Sequence, residues 1–443
     1  MRKLLSTLLL ALPVIVNAQT SREVNVQQSK HSWGALGAAS IEQCQQWAQE
    51  NYPLTQRYDL IRQTEGFTLK NIAKGWLPQI GVSAQGSYQS AVPEYPEVLS
   101  NMLSQMGTEM KGISQLQYRT AIDVQQTIYD GGAMGAQRSV ARASSKVQEA
   151  SADVQMYALR GRVNDLFFAI LLLDQRLKLN EEMQRTIDSN RQRLSTMLEG
   201  GVAMQADVDA MSAELATARQ QHTDIEVQRE AFVKVLSLFI GKDINEVSAP
   251  LPVKMGEAVR PELRLFDLQL TLADAKERVL RASLLPKIGA FAQGYYGYLG
   301  MNMFRDMMDR TPTLNGIIGI KATWNLSALY THKNDRAKLE LERQSINNDR
   351  DVFVFNQKLQ SSQEDSNVRR YHQLISEDKD ICQLRHNVRE AAEAKLEAGI
   401  IDVNALILEI SRENQANINK AIHETELLQH QYKLQNINGY ETK

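Results

Sequence analysis

The sequence predicts an α+β membrane protein in which very long α-helices, expected to form a coiled-coil barrel, are joined to a transmembrane β-sheet of four strands. Three observations predict this class: long stretches without proline and almost without glycine, an internal duplication, and short segments of alternating apolar and polar residues. The chain has 443 residues, enough for two ordinary domains. Its formal charge of −2 at pH 7 gives it no basic excess for nucleic acid.

The N-terminal segment, residues 1–18, resembles a secretory signal peptide. It has a basic start, an apolar run over residues 4–16 and small residues at the ends of 16–18, as a signal-peptidase site requires. The mature chain is expected to begin near Gln19, outside the cytoplasm. Residues 19–39 are polar and small, have no counterpart in the duplication, and are interpreted as a flexible arm.

The distribution of helix-breaking residues predicts the long helices. No proline occurs between Pro96 and Pro250 or after Pro312, and proline or glycine inside a helix costs roughly 1–3 kcal/mol. From Ser327 the first glycine is Gly399, so about 70 residues can form one helix roughly 105 Å long. A helix of that length needs neighbours along it, because no single compact core would stabilise it.

A repeat of seven residues marks one such helix. Valines at positions 140, 147 and 154 recur in step with a row of mostly small residues one turn earlier. This spacing is typical of a coiled-coil seam whose helices approach closely. The small-residue row is Ala136, Ala143, Ala150 and the larger Tyr157.

The two halves of the chain are similar to each other. Residues 77–88 (LPQIGVSAQGSY) recur as 285–296 (LPKIGAFAQGYY), and 198–202 (LEGGV) recur as 396–400 (LEAGI). The repeated unit, about 200 residues long, exceeds the length of a solenoid repeat. Each unit reads as helix, strand, loop, strand, very long helix, glycine turn and return helix.

Each predicted unit, residues 40–248 and residues 249–443, contains two segments that alternate apolar and polar side chains. Their length of about 10–13 residues suits a tilted transmembrane strand. In the first segment Ile80 and Val82 share one face, and Ser83 lies on the other. Strands are predicted near 79–90, 117–129, 287–298 and 316–326.

Four strands leave two open edges, and unpaired backbone groups in lipid cost several kcal/mol each. Closure therefore needs further copies: two, three or four chains would give eight, 12 or 16 strands. The alternative is a soluble four-stranded sheet with one wet face.

Taken in this order and spacing, these features resemble the TolC family of outer-membrane efflux proteins. The resemblance covers nearly the whole mature chain and rests on the duplication, the Leu-Pro-x-Ile-Gly starts at Leu77 and Leu285, the Arg-Pro-Glu-Leu motif at 260–263, and the turns at Gly201 and Gly399. It implies a homotrimer with a 12-stranded β-barrel in outer-membrane lipid and a long α-helical barrel projecting into the periplasm.

The resemblance also implies a function. The chain would be the passive outer-membrane channel of a tripartite efflux system, exporting small molecules from an inner-membrane pump through a periplasmic adaptor protein. It would be no enzyme and need no cofactor or metal, and no His-Glu-x-x-His, Gly-x-Ser-x-Gly or Walker motif occurs in the sequence. One alternative is the outer component of a type I protein secretion system; another, of a different class, is a soluble periplasmic coiled-coil adaptor.

By the same resemblance, the turns near 198–204 and 396–402 are periplasmic tips that dock the adaptor and gate the tube. Asp207 and Asp402 are candidate gate residues, because carboxylates from several chains around a narrow opening favour cations. Ala405 holds the place equivalent to Asp207 in the second unit. The predicted docking residues are Leu198, Glu199, Gly200, Gly201, Val202, Leu396, Glu397, Ala398, Gly399 and Ile400.

Methionines cluster between the strands of each unit. Their spacing favours packing within a capping loop, and a Cu(I) site is the alternative, because thioethers bind soft cations. Cys44 and Cys382 are far apart and are predicted to be unpaired and buried in helices. The methionines are Met102, Met106, Met110, Met301, Met303, Met307 and Met308.

Overall fold

The computed structural model describes residues 38–94, 96–107, 111–250 and 260–439. The predicted signal peptide, residues 1–18, lies outside the described residues, as does the predicted arm up to residue 37. In the described part of the chain, no helix combines the length and apolar character needed to cross a bilayer.

The helices in chain order are α1 (Ile41–Asn51), α2 (Thr55–Lys74), α3 (Glu97–Gln105), α4 (Ala133–Glu199), α5 (Gln205–Ile240), α6 (Pro261–Ala282), α7 (Met303–Asp309), α8 (Ala328–Glu397) and α9 (Val403–Asn438). Two of them are very long, since α4 has 67 residues and α8 has 70. At 1.5 Å per residue each is roughly 100 Å long. Helix α5 packs back along α4, and α9 packs back along α8, so the long helices form two hairpins.

Four strands form one antiparallel sheet in the order β1-β2-β3-β4. They are β1 (Gln79–Tyr88), β2 (Leu116–Tyr129), β3 (Lys287–Tyr298) and β4 (Thr313–Thr323). Because β1 and β2 belong to the first unit and β3 and β4 to the second, the pairing of β2 with β3 joins the two halves of the chain. Strands β1 and β4 are the outer strands, and each has one edge without a partner among the described residues.

Strand β4 begins earlier and ends earlier than its sequence predicts. It starts at Thr313 because Leu314 already pairs with Tyr296 of β3. Just after the strand ends, the indole N–H of Trp324 donates a hydrogen bond to the Leu284 carbonyl (2.9 Å). A shift of register between Thr127 and Tyr129 in β2 is a β-bulge that the sequence pattern did not indicate.

Two hydrophobic clusters hold the helices together, and both are built on α4. In the first, α1, the middle of α4 and the ends of α5 and α9 meet around the fully buried Phe167. In the second, near the far end of the hairpins, Ile187 of α4 packs with Met211 of α5 and Leu406 of α9. The predicted seam at the start of α4 is buried through its small residues Ala136, Ala143 and Ala150.

Arg260 anchors the start of the second unit. Its guanidinium pairs with Glu262 (2.6 Å) and donates hydrogen bonds to the carbonyls of Asn436 and Ile437 at the end of α9 (2.8 and 2.9 Å). It also lies over the ring of Tyr157 on α4, 5.0 Å from the centroid. A cation at the C-terminal end of a helix is favourable, so the Arg-Pro-Glu-Leu motif fixes α6 against both hairpins.

Both cysteines are free in the structure. Cys44 is completely buried in α1, and burial raises the pKa of its thiol to about 12. Cys382 in α8 is half-buried.

Candidate functional site

One face of the sheet carries no charge. The register places Val82 opposite Ile122 and Ala292 opposite Ile318, so the even-numbered residues of all four strands share this face, in β2 as far as the bulge after Thr127. It is apolar and open in the single chain: Val82 is 74% exposed and Ile318 is 83% exposed. Its large apolar members are Ile80, Val82, Ile122, Val124, Ile288, Tyr296, Leu314, Ile318 and Ile320.

The opposite face carries every charged residue of the four strands: Arg119, Asp123, Lys287 and Lys321. Its polar side chains are hydrogen-bonded across strands. Arg119 donates to the Oε1 of Gln85 on β1 (3.1 Å), and Gln293 of β3 donates to the Oδ1 of Asp123 (2.5 Å). Such a sheet fits a wall with lipid on one side and water on the other.

The turn between α4 and α5 closes the first hairpin. Gly201 has φ +70°, its N–H donates to the Leu198 carbonyl (3.0 Å), and the N–H of Val202 donates to the Met197 carbonyl (2.9 Å). This pair of bonds is a Schellman motif, in which a left-handed residue, usually glycine, satisfies the last carbonyls of a helix. Gly200 precedes it in a helical conformation, with φ −78°.

The second hairpin ends in the same motif. Gly399 has φ +65° and donates to the Leu396 carbonyl (2.9 Å), while Ile400 donates to the Lys395 carbonyl (2.8 Å). In both turns the residue after the glycine is apolar and points outward: Val202 is 74% exposed and Ile400 is 70% exposed. The duplication is therefore preserved down to the hydrogen bonds of the turns.

The two turns lie side by side. Arg193 of α4 pairs with Glu397 of α8 (3.1 Å), so the ends of the two hairpins meet. Leu198 and Leu396 pack against the second hydrophobic cluster, whereas Glu199 is exposed at the end of α4. The predicted docking residues thus form one end of the molecule, with Gly200 and Ala398 as the helix-capping positions before each glycine.

The two candidate gate residues both cap helices. An oxygen of Asp207, in the first turn of α5, accepts a hydrogen bond from the Met204 N–H (3.0 Å). Asp402 immediately precedes α9, and its Oδ1 accepts from the Ala405 N–H (2.8 Å). The two carboxylates therefore occupy different positions relative to their helices, and Ala405 does stand where Asp207 stands in the first unit.

A cluster of ionic groups within about four turns of the second tip was not predicted from the sequence. Arg389 pairs with Glu393 (2.7 Å) on α8 and with Glu413 (2.5 Å) on α9, and His386 also contacts Glu413 (2.7 Å). Asn190 of α4 donates to Glu393 (3.0 Å), which joins this cluster to the first hairpin. The spacing of Arg389 and Glu393 was the sequence signal, because residues four apart face each other on a helix.

The β1–β2 loop and the β3–β4 loop, at the end of the sheet far from the long helices, are hydrogen-bonded to each other. Arg310 donates hydrogen bonds to the carbonyls of Lys111 and Gly112, the latter at 2.8 Å, and the Tyr298 hydroxyl accepts from the Ser114 N–H (2.9 Å). The β3–β4 loop is thereby attached to the β1–β2 loop.

The methionines of these loops are largely exposed. Met307 is buried, whereas Met102, Met106, Met301, Met303 and Met308 are exposed, and Met110 lies outside the described residues. Packing within the loops is therefore wrong for most of them. Across the described ranges, no group of three or more His, Cys, Asp or Glu side chains is arranged to hold a metal ion.

Comparison with known proteins agrees with this geometry. Residues 71–242 match the family model described as outer membrane efflux protein. These residues are therefore similar to that family. The match includes β1, β2, the whole of α4 and α5, and the first tip, and it confirms the predicted resemblance to outer-membrane efflux proteins of the TolC family. The predicted location, in the outer membrane with the helices extending into the periplasm, is confirmed with it.

Solved structures show the same fold over 90–93% of this chain. The outer-membrane channel OprN aligns with a TM-score of 0.64 at 14% identity, covering 90% of each chain. VceC from Vibrio cholerae aligns with a TM-score of 0.64 at 11% identity, over 91% of this chain and 97% of that one.

The CmeC channel from Campylobacter jejuni gives a TM-score of 0.60 at 12% identity, over 93% of this chain and 91% of that one. The predicted combination of long helices with a four-stranded sheet is confirmed by these alignments. No match was found among curated proteins.

The uncharged face of the sheet yields a test with a neighbouring residue as its control. We expect Ile318→Lys to cost about 2–4 kcal/mol in a membrane, because it places a charge on the exposed apolar face of the sheet. Ile317→Lys, one position along β4, puts the same group on the polar face and should be tolerated. The measurement is the amount of heat-resistant oligomer extracted from outer membranes. Equal yields for the two variants would show that the faces are not distinguished by lipid.

The two tip glycines with positive φ, Gly201 and Gly399, provide a second test. We expect Gly201→Ala and Gly399→Ala each to destabilise their turns by about 1 kcal/mol, because alanine adopts positive φ poorly, although neither position is crowded. Hydrogen exchange of the Val202 and Ile400 amides should then accelerate roughly fivefold. Gly200→Ala is the matched control, since Gly200 already has helical φ. Acceleration in the control alone would contradict the Schellman assignment.

Proposed function

We propose that three copies of this chain close their sheets into a 12-stranded barrel and serve as the passive outer-membrane channel of a tripartite efflux system. The channel would export small molecules delivered by an inner-membrane pump through a periplasmic adaptor. The observation that carries this proposal is the restriction of Arg119, Asp123, Lys287 and Lys321 to one face of a sheet whose other face is apolar and exposed.

Closure by further copies follows from the unpaired edges of β1 and β4. In lipid those edges would leave backbone N–H and C=O groups without partners, which only a closed barrel avoids. Pairing β4 of one copy with β1 of the next would satisfy both edges. Barrels of eight, 12 or 16 strands would all close in this way, and the family resemblance favours 12.

The surface of α8 supports oligomerisation independently. Among its 70 residues only four are buried in the single chain, whereas α4 buries 18 of its 67. Exposed apolar side chains of α8 recur at multiples of 3.6 residues and therefore lie in one straight stripe. The stripe consists of Leu341, Val352, Phe355, Leu359, Ile381, Leu384 and Val388, each at least 45% exposed.

A stripe that spans most of a long helix needs an equally long partner, and the helices of a second copy provide one. A tube of packed helices would then continue the barrel. The sheet also argues against the alternative of a soluble coiled-coil adaptor. In a soluble protein its uncharged, exposed face would lie in water, where an apolar surface is unfavourable. The secretion alternative shares the same tube and differs only in cargo.

The channel is tested by single-channel recording of the detergent-extracted protein in a planar bilayer, with its mass measured in parallel. We expect discrete conductance steps from a particle of three chains. A water-soluble monomer or dimer without conductance would contradict the proposal. Deletion of the gene distinguishes the two possible kinds of cargo. Increased sensitivity to small toxic compounds would support efflux. Loss of a secreted polypeptide, without a change in sensitivity, would support the secretion alternative.

We further propose that the adjacent tips dock the adaptor through Val202 and Ile400. Both are exposed apolar residues that directly follow the positive-φ glycine of a Schellman turn. Each chain therefore has two similar apolar side chains that an adaptor could contact. Asp207 and Asp402 would contribute to the gate at this end, where opening requires the hairpins to move apart. The Arg193–Glu397 pair and the Arg389 cluster hold the hairpins together in the state seen here.

The docking proposal predicts that the double variant Val202→Asp, Ile400→Asp keeps full channel conductance but loses export in cells. The carboxylates would be solvated in the free protein and unfavourable in an apolar interface. Sensitivity to exported compounds should rise to that of the deletion strain. Val98→Asp, at an equally exposed residue of α3, is the control. Wild-type resistance in the double variant would place docking elsewhere.

A further inference from the structure

The charges on the polar face of the sheet are unevenly placed. Lys321 of β4 pairs with Gly289, and Lys287 of β3 pairs with Thr323, so the two lysines are diagonal neighbours on the same face. Both lie at the end of the sheet that joins the helices. We call this pair, repeated in each copy, the lysine collar.

Neither lysine of the collar is neutralised by the groups around it. Within the described part of the chain, neither ammonium group makes a hydrogen bond or an ion pair, although both residues pair through their backbones in the sheet. The carboxylate of Asp123 is opposite Gln293, further along the strands, and accepts a hydrogen bond from that side chain. The carboxylate of Asp130 accepts from the N–H groups of Gly132 (2.8 Å) and Met134 (2.6 Å) at the start of α4.

The lysines line a recess together with residues of the surrounding elements. Asn71 of α2, Gln137 of α4 and Phe291 of β3 share its wall with the hydrogen-bonded carboxylates of Asp123 and Asp130. In a closed barrel the next copy would place β1 beside β4. The polar face of β1 consists of Gln79, Gly81, Ser83, Gln85 and Ser87, so closure adds no carboxylate.

One possible role of a charged residue on an edge strand is to prevent wrong strand pairing, with no role in binding. That explanation fits Lys321, since β4 is an outer strand. It does not fit Lys287, which lies on the inner strand β3 between two partners. Two adjacent like charges without a counter-ion repel each other in the free sheet. An anion from solution that lies between the two ammonium groups would remove this repulsion.

We propose that the lysine collar is an anion-selective ring at the junction of barrel and helical tube, and that the channel favours anionic solutes as cargo. This inference rests on the proposed trimeric channel. With Arg119 on the same face, each copy contributes three cations against the two carboxylates of Asp123 and Asp130, and Asp130 is buried at the start of α4, so the ring keeps a net positive charge. Rings of basic side chains concentrate anions and exclude cations from a water-filled pore.

The test is the reversal potential of reconstituted channels across a gradient of potassium chloride, for the wild type and for the double variant Lys287→Gln, Lys321→Gln. We expect the ratio of chloride to potassium permeability to fall about threefold in the variant near 0.1 M salt, where the Debye length is about 10 Å. The double variant Lys287→Glu, Lys321→Glu should lower it further. The change relative to wild type is diagnostic, because the tip carboxylates contribute to the absolute value.

Lys338→Gln is the matched control, since it removes the same charge from an exposed position on α8, outside the sheet. An unchanged permeability ratio in both collar variants, with conductance of wild-type size, would overturn the collar and leave the channel intact. An equal fall in the control would also overturn it, because the effect would then follow net charge rather than position. Absence of conductance in the wild type would overturn the channel and the collar together.

Discussion

The four charged residues of the strands all project from one side of the sheet, so its two sides require different solvents. The uncharged side is favourable only against hydrocarbon, and the charged side is favourable only against water. A sheet that separates two such phases cannot end in an open edge, because its unpaired backbone groups would lie in lipid. The proposed closure by further copies rests on this constraint, and the exposed apolar stripe on α8 supports the same proposal for the helical part.

The long helices are held together by buried apolar clusters along their length and by exposed ionic contacts at their tips. Both hairpins close with the same Schellman motif, and an ion pair between Arg193 and Glu397 links the two turns. Charged contacts of this kind are weak when exposed, so they hold the tips together without making them inseparable. The buried clusters around Phe167 and Ile187 lie on α4, and α4 is the rigid element against which a hairpin can move.

Much of the fold was predictable because it depends on local rules. The absence of proline and glycine predicts α4 and α8, and the alternation of side chains predicts the two faces of the strands. The early start of β4 was missed because Asn315 is a typical turn residue, which only pairing with β3 draws into a strand.

Apart from the spacing of Arg389 and Glu393, the contacts that build the Arg389 cluster and the Arg260 anchor join elements far apart in sequence, so no local pattern reveals them. The capping roles of Asp207 and Asp402 likewise depend on where each helix begins. The tip residues were located by the duplication, and their docking role stays a prediction.

The pairing of β2 with β3 has a consequence for biogenesis. Tyr118 pairs with Tyr298 and Ile122 with Gly294, partners roughly 170–180 residues apart. An exported chain emerges from its N-terminus, so the β1–β2 hairpin reaches the periplasm long before β3. During that interval it exposes two unpaired edges and an apolar face, the combination most prone to aggregation. The first hairpin therefore stays without its β3 partner until the second unit arrives.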